Sequence, residues 1–222
     1  PVLAFGTWKL QQVDCETAVL RAIEAGYRHI DSAQAYANER YTGNAIREAL
    51  KTIPGLQRKD LFVATKLSDE GSSGGFLQTR ALIEQQMEHL SVEYLDLYYL
   101  HSPFQDKQRL EGSLTAIFEL ILEGKIRCFG LSNFDAGSLA AFYTPGGPFV
   151  RAVNLMATVQ DVDKTRLEYL RPVVLQNKLD LYHVGRQFDN VGTATVMATA
   201  KTYKLFLMGY SPFSGYPFAL MP

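Results

Sequence analysis

The sequence predicts a parallel α/β barrel, the (β/α)8 or TIM barrel class, built from repeated strand and helix units. Short apolar runs alternate with helical stripes along the chain, which is the pattern of a parallel sheet covered by helices. The runs are apolar almost throughout, as expected of strands buried on both faces. Asp31, Tyr36, Lys66 and His101 lie at or just after the ends of three such runs. Strand ends of this kind carry the functional residues of a barrel.

The first half of the chain shows the alternation clearly. After PVLAFGTW, Asp14 is a suitable N-cap for a first helix, and Gly26 suits its end. The strand YRHID follows, then a helix from Gly43 to Leu50, then the strand LFVATK. The first helix has an apolar face at helical spacing, formed by Cys15, Ala18, Val19, Ala22 and Ile23.

The second half continues the same order. A helix with an apolar stripe leads to the strand YLDLYYLH, and another, stopped at Gly124, leads to KIRCFGLSN. The strand VVLQNKL, a helix from about Asp189 to Thr202 and the strand LFLMGYSP follow. The two stripes are Phe76, Ile83, Met87 and Leu90, and Leu110, Leu114, Ile117, Phe118 and Ile121.

One domain over residues 1–222 is predicted, because 222 residues at 47% hydrophobic content suffice for one sizeable core. About seven strand units are visible where a closed barrel has eight, so an eighth unit is expected to be missing. Residues 144–171 exceed an ordinary connection and predict an insertion with its own helix. The GSSGG segment at 71–75 is either a mobile loop at the functional face or a plain flexible connector.

The four strand-end residues form a plausible proton-transfer group. A free tyrosine, with a pKa of about 10, is a poor proton donor near neutral pH unless a cation favours its phenolate, and Lys66 is the candidate cation for Tyr36. A buried lysine needs a carboxylate to hold its charge, and Asp31 is the candidate. His101 can then donate a hydrogen bond that orients a bound oxygen.

Each of the four residues also has a purely structural interpretation. Tyr36 is one of twelve tyrosines and could serve packing alone. Lys66 could close its strand, Asp31 could cap a turn, and His101 could be a core histidine whose hydrogen bonds are satisfied. The coincidence of four suitable side chains on successive strand ends favours chemistry over these alternatives.

Composition excludes several classes of function. A net charge of -1 without runs of like charge gives no reason to expect a nucleic-acid or membrane-surface partner. No segment approaches the roughly 20 apolar residues of a membrane span, and no secretory signal is visible. Cys15 and Cys128 are too few and too scattered for a disulfide framework or a metal site, so a reducing cytoplasm is the expected location.

The segments that carry these residues resemble the aldo-keto reductase family. The matching stretches are GTW, HIDSAQAYANE, LFVATK, DLYYLHSP, GLSNF and GYSPFS, which together run through almost the whole chain. The resemblance implies a barrel enzyme that reduces aldehydes or ketones, with Tyr36 as general acid beside Asp31, Lys66 and His101. Trp8 matches a wall of the substrate pocket, which Tyr36 and His101 also line.

The resemblance further implies a nicotinamide cofactor, usually NADP(H) and alternatively NAD(H), bound without a Rossmann domain. No G-x-G-x-x-G fingerprint precedes a helix, in keeping with that expectation. A Ser-Asn pair after a strand is also a common turn, and a lone buried Gln or Tyr is commonly a core group. Ser132, Asn133 and Gln176 match the carboxamide-binding residues, Tyr210 matches the ring that stacks on nicotinamide, and Gly6, Thr7, Asp31, Ser211 and Phe213 match the remaining cofactor positions.

Three departures mark a divergent branch of the family. Ser102 stands where many members have tryptophan, the sixth strand ends in QNKLDLYH, and the residues that grip the adenosine 2'-phosphate belong to the eighth unit, which is expected to be missing. Two functions therefore stay open. The first is an NAD(P)H-dependent carbonyl reductase, and the second is a catalytically impaired barrel acting as a cofactor-sensing or interaction subunit, with the oligomeric state undecided.

Overall fold

A single parallel sheet organises the computed structural model, which describes residues 1–69, 75–159, 163–179 and 193–212. Seven strands lie within those ranges, and each pairs in parallel with the next along the chain. The strands are β1 (Ala4–Gly6), β2 (His29–Asp31), β3 (Phe62–Leu67), β4 (Leu97–Leu100), β5 (Phe129–Ser132), β6 (Val174–Lys178) and β7 (Phe206–Tyr210).

Helices connect the strands and cover the outer face of the sheet. They are α1 (Gln12–Glu24), α2 (Glu39–Thr52), α3 (Phe76–His89), α4 (Lys107–Leu122), α5 (Ala136–Tyr143), α6 (Pro148–Thr158) and α7 (Thr193–Thr202). Short 3-10 helices cover Gln34–Tyr36, Arg58–Asp60 and Lys164–Leu170. None of the helices in the described ranges combines the length and the apolar character needed to cross a bilayer.

The sheet is curled like the wall of a barrel, since side chains of strands that are not neighbours meet across its concave face. Gln176 Nε2 on β6 donates to Asp31 Oδ2 on β2 at 2.8 Å, and the Tyr99 hydroxyl on β4 donates to Met208 Sδ on β7 at 3.3 Å. Gly130 on β5 permits the second contact, since a Cβ there would lie 2.6 Å from the Tyr99 ring. The predicted fold class, parallel strands and helices of a (β/α)8 barrel, is confirmed.

Two helix starts differ from the sequence prediction. Asp14 is not the N-cap of α1, because the helix begins at Gln12. Asp14 lies in the first turn, where its negative charge interacts favourably with the positive end of the helix dipole. α2 begins at Glu39 rather than Gly43. The preceding turn ends at Ala37 in the left-handed region, with φ 55°, so the chain can enter the helix almost at once.

The segment 144–171 contains α6 and the third 3-10 helix, as well as the turn that follows α5. Phe149 of α6 packs edge-on against Phe118 of α4 with ring centroids 6.0 Å apart, so the segment belongs to the outer helical layer. The predicted helix of its own is therefore present, while its description as an insertion stays a prediction. The predictions for residues 71–74, 189–192 and Phe213 fall outside the described residues.

Helix α2 passes so close to the end of α3 that only glycine fits at position 43. A Cβ on Gly43 would overlap the carbonyl oxygen of His89 and lie 2.7 Å from the carbonyl carbon of Leu90. We expect Gly43→Ala to lower the free energy of unfolding by about 1–3 kcal/mol, because the backbone clash outweighs the gain of about 1 kcal/mol in helix propensity. Urea unfolding measures the difference.

Gly137→Ala in α5 is the matched control for this prediction. A Cβ on Gly137 would meet only Asp135 Oδ1, at an ordinary 3.6 Å. We expect this variant to be as stable as the parent protein or slightly more stable. Equal unfolding curves for Gly43→Ala and Gly137→Ala would show that the two helices can separate without cost.

Candidate active site

Strand register brings the predicted residues to one end of the barrel. Asp31 ends β2 and pairs with Gly6 at the end of β1, while Lys66 lies next to Tyr99 across β3 and β4. His101 directly follows β4, and Tyr36 ends the 3-10 turn that follows β2. Because the strands are parallel, their carboxyl ends meet at one rim.

A buried ion pair lies at this end of the barrel. Lys66 and Asp31 are 1% and 6% exposed, and Lys66 Nζ donates to Asp31 Oδ1. The same ammonium donates to the Ser32 carbonyl oxygen at 2.7 Å and lies 3.4 Å from the Tyr36 hydroxyl oxygen. Burial costs each charge its hydration, and the pair, with its added hydrogen bond, compensates that loss.

The phenol of Tyr36 is held in its neutral form. Burial raises the pKa of Tyr36 above its ordinary value, and the carboxylate of Asp31 raises it further. This direction is opposite to the lowering expected from Lys66. The physical reason is that desolvation by burial is the larger effect, and the negative charge of Asp31 adds to it.

His101 lies beside the phenol as a neutral imidazole. Its ring meets the Tyr36 ring edge-on, with centroids 5.6 Å apart. Burial, and after it the positive charge of Lys66, lowers the pKa of His101 to about 4. At neutral pH the ring therefore carries one N–H that can be donated. The His101 carbonyl oxygen accepts from Asn133 Nδ2 at 2.8 Å, which joins this rim to the end of β5.

The predicted cofactor residues after β5, β6 and β7 form one polar cluster. Ser132 Oγ donates to Gln176 Oε1 at 3.3 Å, and Asn133 Nδ2 donates to Ser132 Oγ at 3.2 Å. The Tyr210 hydroxyl donates to Asn133 Oδ1 at 2.7 Å. Gln176 also bonds Asp31, as described above, so the cluster is continuous with the ion pair. Such amides and hydroxyls can both donate to and accept from a planar carboxamide.

A cavity of about 490 Å³ opens between these groups. Thr7 and Lys66 are fully buried behind its wall rather than on it. A Cβ on Gly6 would meet no atom within 4 Å, so this glycine leaves open space at the cavity edge. The lining residues are Gly6, Trp8, Asp31, Ala35, Tyr36, His101, Ser132, Asn133, Gln176, Tyr210 and Ser211. The predicted site residues thus surround one space, apart from the two behind the wall and Phe213, which is not described.

Asn38 supports the site and was missed in the sequence. Its Nδ2 donates to the carbonyl oxygens of Thr7 and Leu10 at 2.8 and 2.9 Å, and its Oδ1 accepts from Thr7 Oγ1. These bonds fix the loop from Thr7 to Leu10, and this loop places Trp8 in the cavity wall. An asparagine before a helix is ordinarily a cap, but this side chain makes no cap bond, so residue type alone pointed elsewhere.

The arrangement suits proton donation to an oxygen bound in the cavity. A neutral phenol that follows β2 and a neutral imidazole that follows β4 meet at the cavity, and a carboxamide-compatible cluster lies across from them. In the described ranges, no group of three or more His, Cys, Asp or Glu side chains is arranged to hold a metal ion.

Known proteins resemble this chain in sequence. A model of the aldo/keto reductase family matches residues 2–216. An aldo-keto reductase of Mycolicibacterium smegmatis is 38% identical over 154 residues, which cover 69% of this chain and 53% of that protein. A 9,11-endoperoxide prostaglandin H2 reductase of Trypanosoma cruzi is 39% identical over 144 residues, covering 64% of this chain and 48% of that protein.

Solved structures show the same likeness across nearly the whole chain. An aldo-keto reductase of Bombyx mori in complex with NADP has a TM-score of 0.69 at 27% identity and covers 95% of this chain and 62% of its own. An aldo/keto reductase of Brucella melitensis has a TM-score of 0.72 at 25% identity, over 96% of this chain and 69% of its own. The chain spans about half the length of the curated relatives above. With a family match over residues 2–216, this chain belongs to the aldo/keto reductase family.

Proposed function

We propose that this chain carries the active site of an NAD(P)H-dependent carbonyl reductase in which Tyr36 protonates the oxygen of an aldehyde or ketone. The observation that carries the proposal is the convergence of Tyr36, the Lys66–Asp31 pair and His101 on one cavity of about 490 Å³. Membership of the aldo/keto reductase family supports the same reaction class.

Tyr36 supplies the proton, and its neighbours prepare it. The phenol is protonated at neutral pH, and burial raises its pKa further, so the proton is in place when negative charge develops on the carbonyl oxygen, while its release depends on a nearby cation. His101 donates a hydrogen bond to the same oxygen and fixes its distance from the phenol. Lys66, 3.4 Å from the phenol oxygen, stabilises the phenolate that forms as the proton leaves.

The polar cluster is suited to holding a nicotinamide. Ser132, Asn133 and Gln176 would bind its carboxamide, and the ring of Tyr210 would lie against its face. When bound, the nicotinamide supplies the hydride. Open space at Gly6 and the mixed donors and acceptors of the cluster fit this group. The NADP complex of the Bombyx mori protein supports NADP(H), and NAD(H) is the competing cofactor.

Trp8 forms the outer wall of the proposed substrate pocket. Trp8 is 57% exposed and lines the cavity together with Tyr36 and His101. An exposed aromatic wall favours apolar or aromatic carbonyl compounds, since it offers surface that a ligand can cover.

The decisive experiment follows the loss of NADPH absorbance with a simple aromatic aldehyde, with NADH in parallel. We expect consumption that depends on the aldehyde. Binding of NADPH, measured by fluorescence, without turnover of several aldehydes and ketones would refute the reductase and support the non-catalytic, cofactor-sensing subunit.

Tyr210 provides a separate test of the proposed cofactor site. We expect Tyr210→Ala to weaken NADPH binding by about 1 kcal/mol or more, roughly fivefold, because the stacking surface is lost. Tyr210→Phe is the matched control, since it keeps the ring and removes only the hydroxyl that bonds Asn133. Fluorescence titration compares the three proteins, and equal affinity of Tyr210→Ala and the parent would remove Tyr210 from the site.

A further inference from the structure

Glu39 is a buried carboxyl packed behind the strand that carries Lys66. It is the first residue of α2 and only 6% exposed, and it does not line the cavity. Its Oε1 accepts from Thr65 Oγ1 at 2.5 Å and from Gln86 Nε2 at 2.9 Å. Thr65 directly precedes Lys66 on β3. The carboxyl of Glu39 is therefore hydrogen-bonded to the neighbour of a residue of the proton-transfer group.

The surroundings of Glu39 contain few charges. Gln86 Nε2, from α3, also lies 3.3 Å from the Lys66 carbonyl oxygen, and Gln86 Oε1 accepts from the Tyr98 hydroxyl at 2.7 Å. Among the residues that the structure describes, the titratable groups that interact with Glu39 are Lys66 on β3 and Tyr98 on β4, and α3 contributes the neutral Gln86. Glu39 forms no ion pair within the described part of the chain.

We propose that Glu39 is a positioning residue for the reductase site, a second carboxyl whose charge tunes the ammonium of Lys66 and, through it, the acidity of Tyr36. The inference rests on the proposed function. Asp31 already balances the charge of Lys66. An ionised Glu39 therefore makes the three charges net negative, and this negative charge makes the phenol of Tyr36 a weaker acid. A protonated Glu39 restores a neutral pair and a stronger acid.

The charge of Glu39 changes in the physiological range. Burial raises the pKa of Glu39 to about 7, although the hydrogen bonds from Thr65 and Gln86 and the charge of Lys66 act to lower it. As the pH falls through about 7, Glu39 takes up a proton and its opposition to Lys66 ends. The turnover number for carbonyl reduction should therefore rise as the pH falls through that range.

The first test measures the carboxyl directly and needs neither cofactor nor turnover. Carbon-13 NMR of side-chain-labelled glutamate, with Glu39→Gln for assignment, should show one carboxyl titrating near pH 7. Lys66→Met should move this midpoint upward, since the lysine charge lowers it and such coupling is reciprocal. The double variant Asp31→Asn, Lys66→Met removes both charges of the pair, so the midpoint should move less than in Lys66→Met. A midpoint near the ordinary value of about 4.3, or one unmoved by loss of Lys66, would overturn the proposal.

The second test is the pH profile of the turnover number. Glu39→Gln mimics the protonated carboxyl, so it should lose the inflection near pH 7 and keep the rate that the parent reaches on its acidic plateau. Tyr98→Phe is the control, because it removes only the hydrogen bond from the Tyr98 hydroxyl to Gln86 and leaves the carboxyl of Glu39 in place. A uniform loss of rate in Glu39→Gln, with the inflection retained, would show a merely structural residue. Absence of any carbonyl turnover in the parent would refute the proposed function, whereas a titration of Glu39 that depends on Lys66 would still support the coupling.

Discussion

Replacing Tyr36 by phenylalanine should reduce the turnover number for carbonyl reduction by at least about 10²-fold, the usual cost of losing a general acid. The hydroxyl faces the cavity and lies 3.4 Å from Lys66 Nζ, so its removal takes away the proton but leaves the ring in place. The affinity for NADPH should stay near that of the parent protein, because the proposed carboxamide residues are untouched. Steady-state kinetics and fluorescence titration measure the two quantities.

Tyr99→Phe is the matched control for this variant. Tyr99 is also a buried tyrosine of the barrel interior, but its hydroxyl donates to Met208 Sδ rather than facing the cavity. We expect its turnover number to stay within a few-fold of the parent value, in line with the modest worth of one hydrogen bond. Near-normal turnover in Tyr36→Phe, or an equal loss in both variants, would make the assignment of Tyr36 wrong.

Replacing Lys66 by methionine should abolish turnover and also destabilise the fold. Asp31 is 6% exposed and would keep a buried charge without its cation. Removing one partner of a buried ion pair typically costs about 3–5 kcal/mol of stability. The phenolate of Tyr36 would lose its nearest positive charge in the same step. Urea unfolding and steady-state kinetics report the two effects separately.

The double variant Asp31→Asn, Lys66→Met separates stability from catalysis. Removal of both charges should restore much of the lost stability, since no uncompensated ion remains. Turnover should stay low, because the cation that stabilises the phenolate is still absent. If the double variant regained normal turnover, Lys66 would have only a structural role.

The sequence by itself determined the alternation of strands and helices and the residues at the rim. Asp31, Lys66 and His101 each follow a short apolar run, and parallel strands bring such ends to one side of a sheet whatever their later neighbours are. The apolar faces of α1 and α4 were equally legible, because helical periodicity is a local property. Local signals therefore sufficed to predict the alternation of strands and helices and these rim residues, whereas the cofactor positions were implied by the resemblance to the family.

Only the tertiary structure decided how these residues interact. The hydrogen bond from Gln176 to Asp31 joins residues that are 145 positions apart in the sequence. The bonds from Asn38 to Thr7 and Leu10 depend on how the loop after β1 packs against the start of α2. The raised pKa of Tyr36 and the near-neutral pKa of Glu39 likewise arise from burial. Desolvation depends on every segment that packs around a group, so it is a property of the assembled barrel and not of any stretch of its sequence.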